Sequence, residues 1–205
     1  MKYLRQHFLV LSASCLWSIA ANAAHPLVTD DAQTQGSNGN QIELNIDWTK
    51  DAGTRARTSA LTYTRGLNDT TDVFVNIPNT WRAPDSPSSG LNDLGLGVKW
   101  RFFDQNGVSL GLKPEWTLAT GNEKKGLGNG KDSYALTVIA EIETKPLVWI
   151  INLNQQEIRY QQPADQEQMR RTIRQFSVGA IAPINEQLNL VFALWPSRCR
   201  RSGSH

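Results

Sequence analysis

Histidine is nearly missing from this sequence, and its three occurrences, His7, His25 and His205, sit close to the two ends. The body of the chain therefore has no imidazole to act as a general base, which removes the Ser-His and Asp-His chemistry on which hydrolytic barrel enzymes generally depend. Cysteine is as scarce. Cys15 lies in the leading apolar stretch and Cys199 near the other end. Once Cys15 is lost, one thiol can form neither an intramolecular disulfide nor a thiolate metal site. The sequence thus points to no enzyme, no cofactor and no metal. Long apolar runs are absent as well: beyond the first residues no eighteen apolar residues follow one another, so any membrane association must come from strands or from the surface. Nor is there a basic excess. Lys and Arg number 21 against 19 Asp and Glu, and Val28 to Trp195 carries a formal charge of about −3, which argues against nucleic acid as a partner.

What is present begins with an export signal. Lys2 and Arg5 precede an apolar stretch from Phe8 to Ala20, and Ala21-Asn22-Ala23 supplies small residues at A-x-A spacing. The stretch is too short for a permanent spanning helix, and cleavage is expected near Ala23 or Ala24. A lipoprotein reading through Cys15 is the weaker one, because Ser12 stands where a lipobox usually has Leu. The expected organisation is a signal peptide at 1–24, an N-terminal periplasmic segment at 25–40, a β-barrel at 41–195 and a basic tail at 196–205 that looks foreign to the rest.

From Gln41 onward the pattern has period two, that of a strand with two unlike faces. Leu94, Leu96, Val98, Trp100 and Phe102 oppose Asp93, Gly95, Gly97, Lys99 and Arg101. Val108, Leu110, Leu112, Pro114, Trp116 and Leu118 oppose Ser109, Gly111, Lys113, Glu115 and Thr117. Ile42, Leu44, Ile46 and Trp48 face away from Glu43, Asn45 and Asp47, and Tyr134, Leu136, Val138, Ala140 and Ile142 oppose Ala135, Thr137 and Glu141 in the same way. Further strands are expected at about 57–65, 72–81, 147–155, 172–182 and 187–195, each near the length that a tilted strand needs to cross the hydrocarbon layer.

Turn-like links at 66–69, 104–107, 143–146 and 183–186 alternate with longer polar ones at 49–56, 82–92, 120–132 and 155–171. Outer-membrane barrels sort short periplasmic turns from long external loops in this way, whereas a soluble sandwich has no reason to. Trp48, Trp81 and Trp116 fall at the outer ends of upward strands and Trp100 and Trp149 near the periplasmic ends, which would make two aromatic girdles. Core tryptophans of a soluble sheet are the competing reading. The expected fold class is all-β: an antiparallel up-and-down transmembrane β-barrel with about nine strands present. Bacterial single-chain barrels have even strand numbers, so nine suggests a chain shortened from roughly 10–12 strands. Pro114 should cost a bulge or a ladder bond.

The other face carries Glu43, Asp47, Lys99, Arg101, Lys113, Glu115 and Glu141. At membrane depth such groups must meet water or one another. Either they line a narrow wet passage, toward which Gly95, Gly97 and Gly111 tilt the reading by leaving space, or they close into ion-paired layers that fill a small barrel. The glycine-rich stretch at 126–132 lacks the phosphate-loop spacing and leads into a strand, so a flexible external loop is expected there. Asp30 and Asp31 suit an exposed polar terminus as well as a cation site.

Three stretches resemble the meta-pathway of phenol degradation family of exported, barrel-type proteins. They are His25-Pro26-Leu27-Val28-Thr29-Asp30-Asp31 with Thr34-Gln35-Gly36, then Gly90 to Phe102, and then Leu118-Ala119-Thr120-Gly121 with Gly126-Leu127-Gly128-Asn129-Gly130. The likeness covers roughly His25 to Trp195; it departs at Ala119, where Pro would be expected, and in the tail. It implies localisation in the cell outer membrane and a channel or uptake role for small hydrophobic or aromatic compounds. The partners implied by that location are the lipid bilayer, lipopolysaccharide and the barrel-assembly machinery. A non-transporting structural or surface-interaction barrel, and behind it a soluble periplasmic β-protein, stay open.

Overall fold

Alternation of the kind seen from Gln41 onward builds one antiparallel sheet. The computed structural model describes residues 29–51, 54–82, 88–185 and 188–194. The expected signal peptide at 1–24, His25 and the tail at 196–205 lie outside the described residues. The strands are β1 (Asn40–Asp51), β2 (Thr54–Asn68), β3 (Thr71–Arg82), the two-residue β4 (Gly90–Leu91), β5 (Leu94–Gln105), β6 (Val108–Leu118), β7 (Ser133–Thr144), β8 (Leu147–Glu157), β9 (Thr172–Asn185) and β10 (Leu188–Leu194). Each long strand pairs with the next along the path β1-β2-β3-β5-β6-β7-β8-β9-β10, and β4 pairs with the far half of β3. The sheet is curled into a half-barrel. Among the described residues β1 and β10 make no contact with each other.

Local chemistry explains the tight links. Between β5 and β6, Asn106 and Gly107 both take positive φ (54° and 74°), as a two-residue type I′ turn requires. At the opposite end, 119–132 and 158–171 are long, and 83–93 carries β4. The first link differs from the expected long loop. β1 and β2 stay in register out to Asp51↔Thr54, because the polar residues read as loop include Thr49 and Thr54, whose branched side chains suit a ladder. Pro114 keeps its register with β7 opposite Leu136, while on the β5 side the ladder is interrupted at Val98 and Lys99 and a bulge follows between Arg101 and Phe103. The missing N–H of proline accounts for the gap.

Burial is distributed opposite to that of a water-soluble protein. The concave face holds the buried groups, and most are polar: Asp72, Thr80, Ser109, Ser133, Thr137, Glu141, Asn152 and Ser177. The convex face leaves large apolar side chains exposed, with Ile42 at 74%, Leu44 at 64% and Trp48 at 69%. Fully burying one such side chain contributes roughly 1.5–3 kcal/mol. A convex face of this kind therefore forgoes more stabilisation than the whole folding free energy of an ordinary domain, about 5–15 kcal/mol, unless something apolar covers it.

Candidate functional site: the concave wall and the strap across it

Charged side chains on adjacent strands of a curled sheet converge, and register decides which of them meet. Asp72 on β3 lies opposite Lys99 on β5, Arg101 opposite Gly111 on β6, and Glu141 on β7 beside Ser109 on β6 and Ile150 on β8. Lys99, Arg101, Lys113 and Glu141 are gathered in one band, together with Asp72 and Asn152. Glu115 stands two residues beyond Lys113 on the same face. Glu43 accepts from the Asn45 amide (2.6 Å) on β1, where Asp47 is exposed. No group of three or more His, Cys, Asp or Glu among the described residues is placed to hold a metal ion.

The band is occupied by the chain itself. Residues 29–39 form a strap that starts over β8 and crosses the wall to the β2–β3 turn. The Asp30 N–H donates to Asn152 Oδ1 (2.6 Å) while Asn152 Nδ2 donates back to the Asp30 carbonyl (2.8 Å). The Ala32 N–H and the Gln33 side-chain amide donate to the two oxygens of Glu141 (3.1 and 2.9 Å). The Gln35 N–H donates to both oxygens of Asp72 (3.1 Å each). The cations take the strap's acceptors. Lys113 meets Asp30 at 2.8 Å, Lys99 meets Asp31 at 3.3 Å, and the Arg101 guanidinium donates to Gln33 Oε1 (2.8 Å) and to the Asp69 carbonyl (2.9 Å). The strap then closes on the turn: Thr34 Oγ1 donates to the Asp69 carbonyl and the Ser37 N–H to the Asp69 carboxylate.

Not every contact holds equally. Asp30 is 43% exposed, so its ion pair is screened and worth at most about 1 kcal/mol. Asp72 and Glu141 are buried, and a hydrogen bond to a buried charged group is worth roughly 1.5–3 kcal/mol; the buried Asn152 amide is neutral, and its two bonds are worth roughly 0.5–1.5 kcal/mol each. The backbone bonds to these three residues are therefore the main anchors. Ala32, Ile139 and Ile150 are fully buried in the same patch and form its small apolar core.

The glycine space on this wall is partly filled. A side chain at Gly97 would collide with the Phe74 ring, and one at Gly95 would press on Glu115. The Lys113 ammonium stands over Phe74, 4.9 Å from the ring centre. The Asp30–Asp31 pair, expected at an exposed terminus, forms ion pairs with Lys113 and Lys99 of the wall. Asp72 was legible as an inward position, since Val73, Val75 and Ile77 alternate with it. Asn152, between Ile151 and Leu153, was legible in the same way. Their partner was not, because strap and wall are up to 122 residues apart in sequence.

At the long-loop end, the glycine-rich stretch read as flexible is pinned. Asp93, buried, accepts from the Gly121 and Asn129 N–H groups (2.8 Å each). A side chain at Gly128 would strike the Asp93 carboxylate, which explains the glycine. A short 3-10 turn, Glu123–Lys125, is capped by Asn122, and Gln162 of the next loop donates to the Glu123 carbonyl (2.6 Å). Gly130 bridges Tyr160. Desolvation, and behind it the charge of Asp165, pushes the Tyr160 phenol above its ordinary pKa. Two consecutive loops thus form one folded cap.

The five tryptophans among the described residues lie on the convex face. Trp48 is stacked under Arg57 (5.6 Å), and the indole N–H groups of Trp81, Trp116 and Trp149 donate to Ser59, Asp132 and Thr144. Trp100 packs against Phe102 with ring centres 5.6 Å apart. Tested against known proteins, the chain matches no family model and no curated sequence.

Proposed function

We propose that this chain is an exported outer-membrane β-barrel protein, not an enzyme, and that it serves as a passive channel or uptake protein for small hydrophobic or aromatic molecules. The observation that carries the membrane reading is the inverted burial: polar side chains fill the concave wall while the aliphatic and aromatic ones stand exposed on the convex face. Lipid is the solvent that makes such a surface stable, since a charged group on it would cost roughly 2–4 kcal/mol at mid-bilayer whereas leucine costs nothing. The long strands, 11 to 15 residues apart from the seven of β10, are long enough for a tilted crossing. Indoles bonded to polar groups beside them suit the headgroup level, so Trp48, Trp81, Trp100, Trp116 and Trp149 are assigned to two girdles.

The solute class rests on the resemblance to the meta-pathway of phenol degradation family. A bilayer containing lipopolysaccharide, and the machinery that assembles barrels, are the partners this reading requires. The sheet edges at β1 and β10, unpaired among the described residues, cannot remain so in hydrocarbon, so this reading requires further strand pairing for closure. One observation favours a second reading, a non-transporting structural barrel: the strap occupies the very charges that would line a passage.

Fractionation of cells producing the full chain, followed by unheated and heated gel migration of the detergent extract, tests the proposal. Recovery in the outer membrane with heat-modifiable migration is expected. Recovery in the soluble periplasm would overturn it.

A further inference from the structure

We propose that residues 29–39 act as a displaceable plug: an internal occupant of the concave wall whose release opens the passage between the two ends of the molecule. This rests on the channel reading above and deepens it, because it names what controls passage.

Three observations carry the proposal. The strap runs across five strands, bonded to β8, β7, β6, β5 and β3, so it covers the charged band on the face that the sheet curls around. Its contacts are polar in both directions, its carboxylates on wall cations and its backbone N–H groups on wall carboxylates, with Ala32 as its single buried apolar side chain. Such contacts exchange with water at far smaller cost than an apolar plug of the same area, because each group released finds a replacement partner in solvent. The third observation is a hinge. Gly36 and Asn38 both hold positive φ (72° and 60°) where the strap meets β1, and a side chain at Gly36 would touch nothing. The junction also sits on the last residues of β2, where the Asn38 N–H donates to the Gly66 carbonyl (3.1 Å) and the Gly66 N–H to the Gly39 carbonyl (2.9 Å). Rotation ahead of that clasp frees Thr29 to Gln35 and leaves β1 in place.

Removing the two ion pairs should therefore loosen the strap, although its backbone anchors on Asp72, Glu141 and Asn152 remain. With both native cysteines replaced by serine, Ala32→Cys places a thiol at a fully buried strap position of the full-length protein in lipid vesicles. A water-soluble maleimide should label it slowly. Adding Asp30→Asn and Asp31→Asn, which leaves the wall untouched, should speed labelling by about tenfold, the factor that corresponds to losing 1.4 kcal/mol. Raised salt should act in the same direction. Asp30→Lys combined with Lys113→Asp should return the rate toward that of the parent, which a merely structural loss would not do. Entry of a small neutral solute into the vesicles should rise and fall with labelling. An unchanged labelling rate in the Asn variant overturns the plug. Faster labelling with unchanged, measurable solute entry overturns its control of passage while leaving the channel standing. No solute entry for any variant overturns both the gate and the channel on which it rests.

Discussion

Leu112 and Gly111 are neighbours in sequence on β6 but stand on opposite faces, so substitutions at the two should have opposite consequences. Leu112 is on the convex face, whereas Gly111 is buried on the concave one, where an added side chain would meet Ile139 only at ordinary contact distance. Leu112→Arg should lower the folded, membrane-inserted fraction sharply, by an amount equivalent to roughly 2–4 kcal/mol, while Gly111→Ser should leave it nearly unchanged. Heat-modifiable gel migration of the two variants side by side reads the difference, and equal tolerance would mean the faces are misassigned. Gly97 is different from Gly111 although the sequence treats the two alike. A β-carbon there runs into the Phe74 ring and the Pro114 carbonyl, so Gly97→Val should cost about 1–3 kcal/mol, seen as a lower urea midpoint. Alternation shows that a glycine faces inward. It does not show that the space beside it is taken by a ring from another strand.

At the scale of elements, the strands were legible because each carries its own signal: a period of two needs no knowledge of a partner. The links were legible only in part. Asn106-Gly107 announces its turn, but the polar composition of Thr49 to Ala56 points to a loop where most of the stretch is ladder. The cap and the strap were hidden for a physical reason. Asp93 is just an inward-facing acid until Gly121 and Asn129 donate to it, and Asp30 and Asp31 are an exposed pair until Lys113 and Lys99 are known to lie across from them. Asp93→Ala should loosen the cap by removing two charge-assisted bonds, worth roughly 1.5–3 kcal/mol each. Tryptic cleavage at the exposed Lys124 and Lys125 should then be several-fold faster than in the parent. The same two lysines report orientation. On intact cells an impermeant amine reagent should reach them, since the long-loop end is assigned to the outside. Labelling that appears only after the outer membrane is opened would reverse the topology.

At the scale of the whole molecule, parity and burial point the same way. Along an antiparallel path of nine strands the first and last run in the same direction, so pairing β1 directly with β10 would make a parallel seam, and an antiparallel closure takes an odd number of further strands. A closed wall matters because the inside is polar and the outside is not, and the account stands or falls on what touches that outside. Tryptophan fluorescence of the protein in vesicles whose phospholipids carry bromine on their acyl chains measures this contact directly. Trp48, Trp81, Trp100, Trp116 and Trp149 should be strongly quenched, most by bromines placed near the headgroups, and only weakly by a water-soluble quencher. Strong quenching from water with little effect of brominated lipid would contradict the account, because the convex face would then be covered by something other than a membrane.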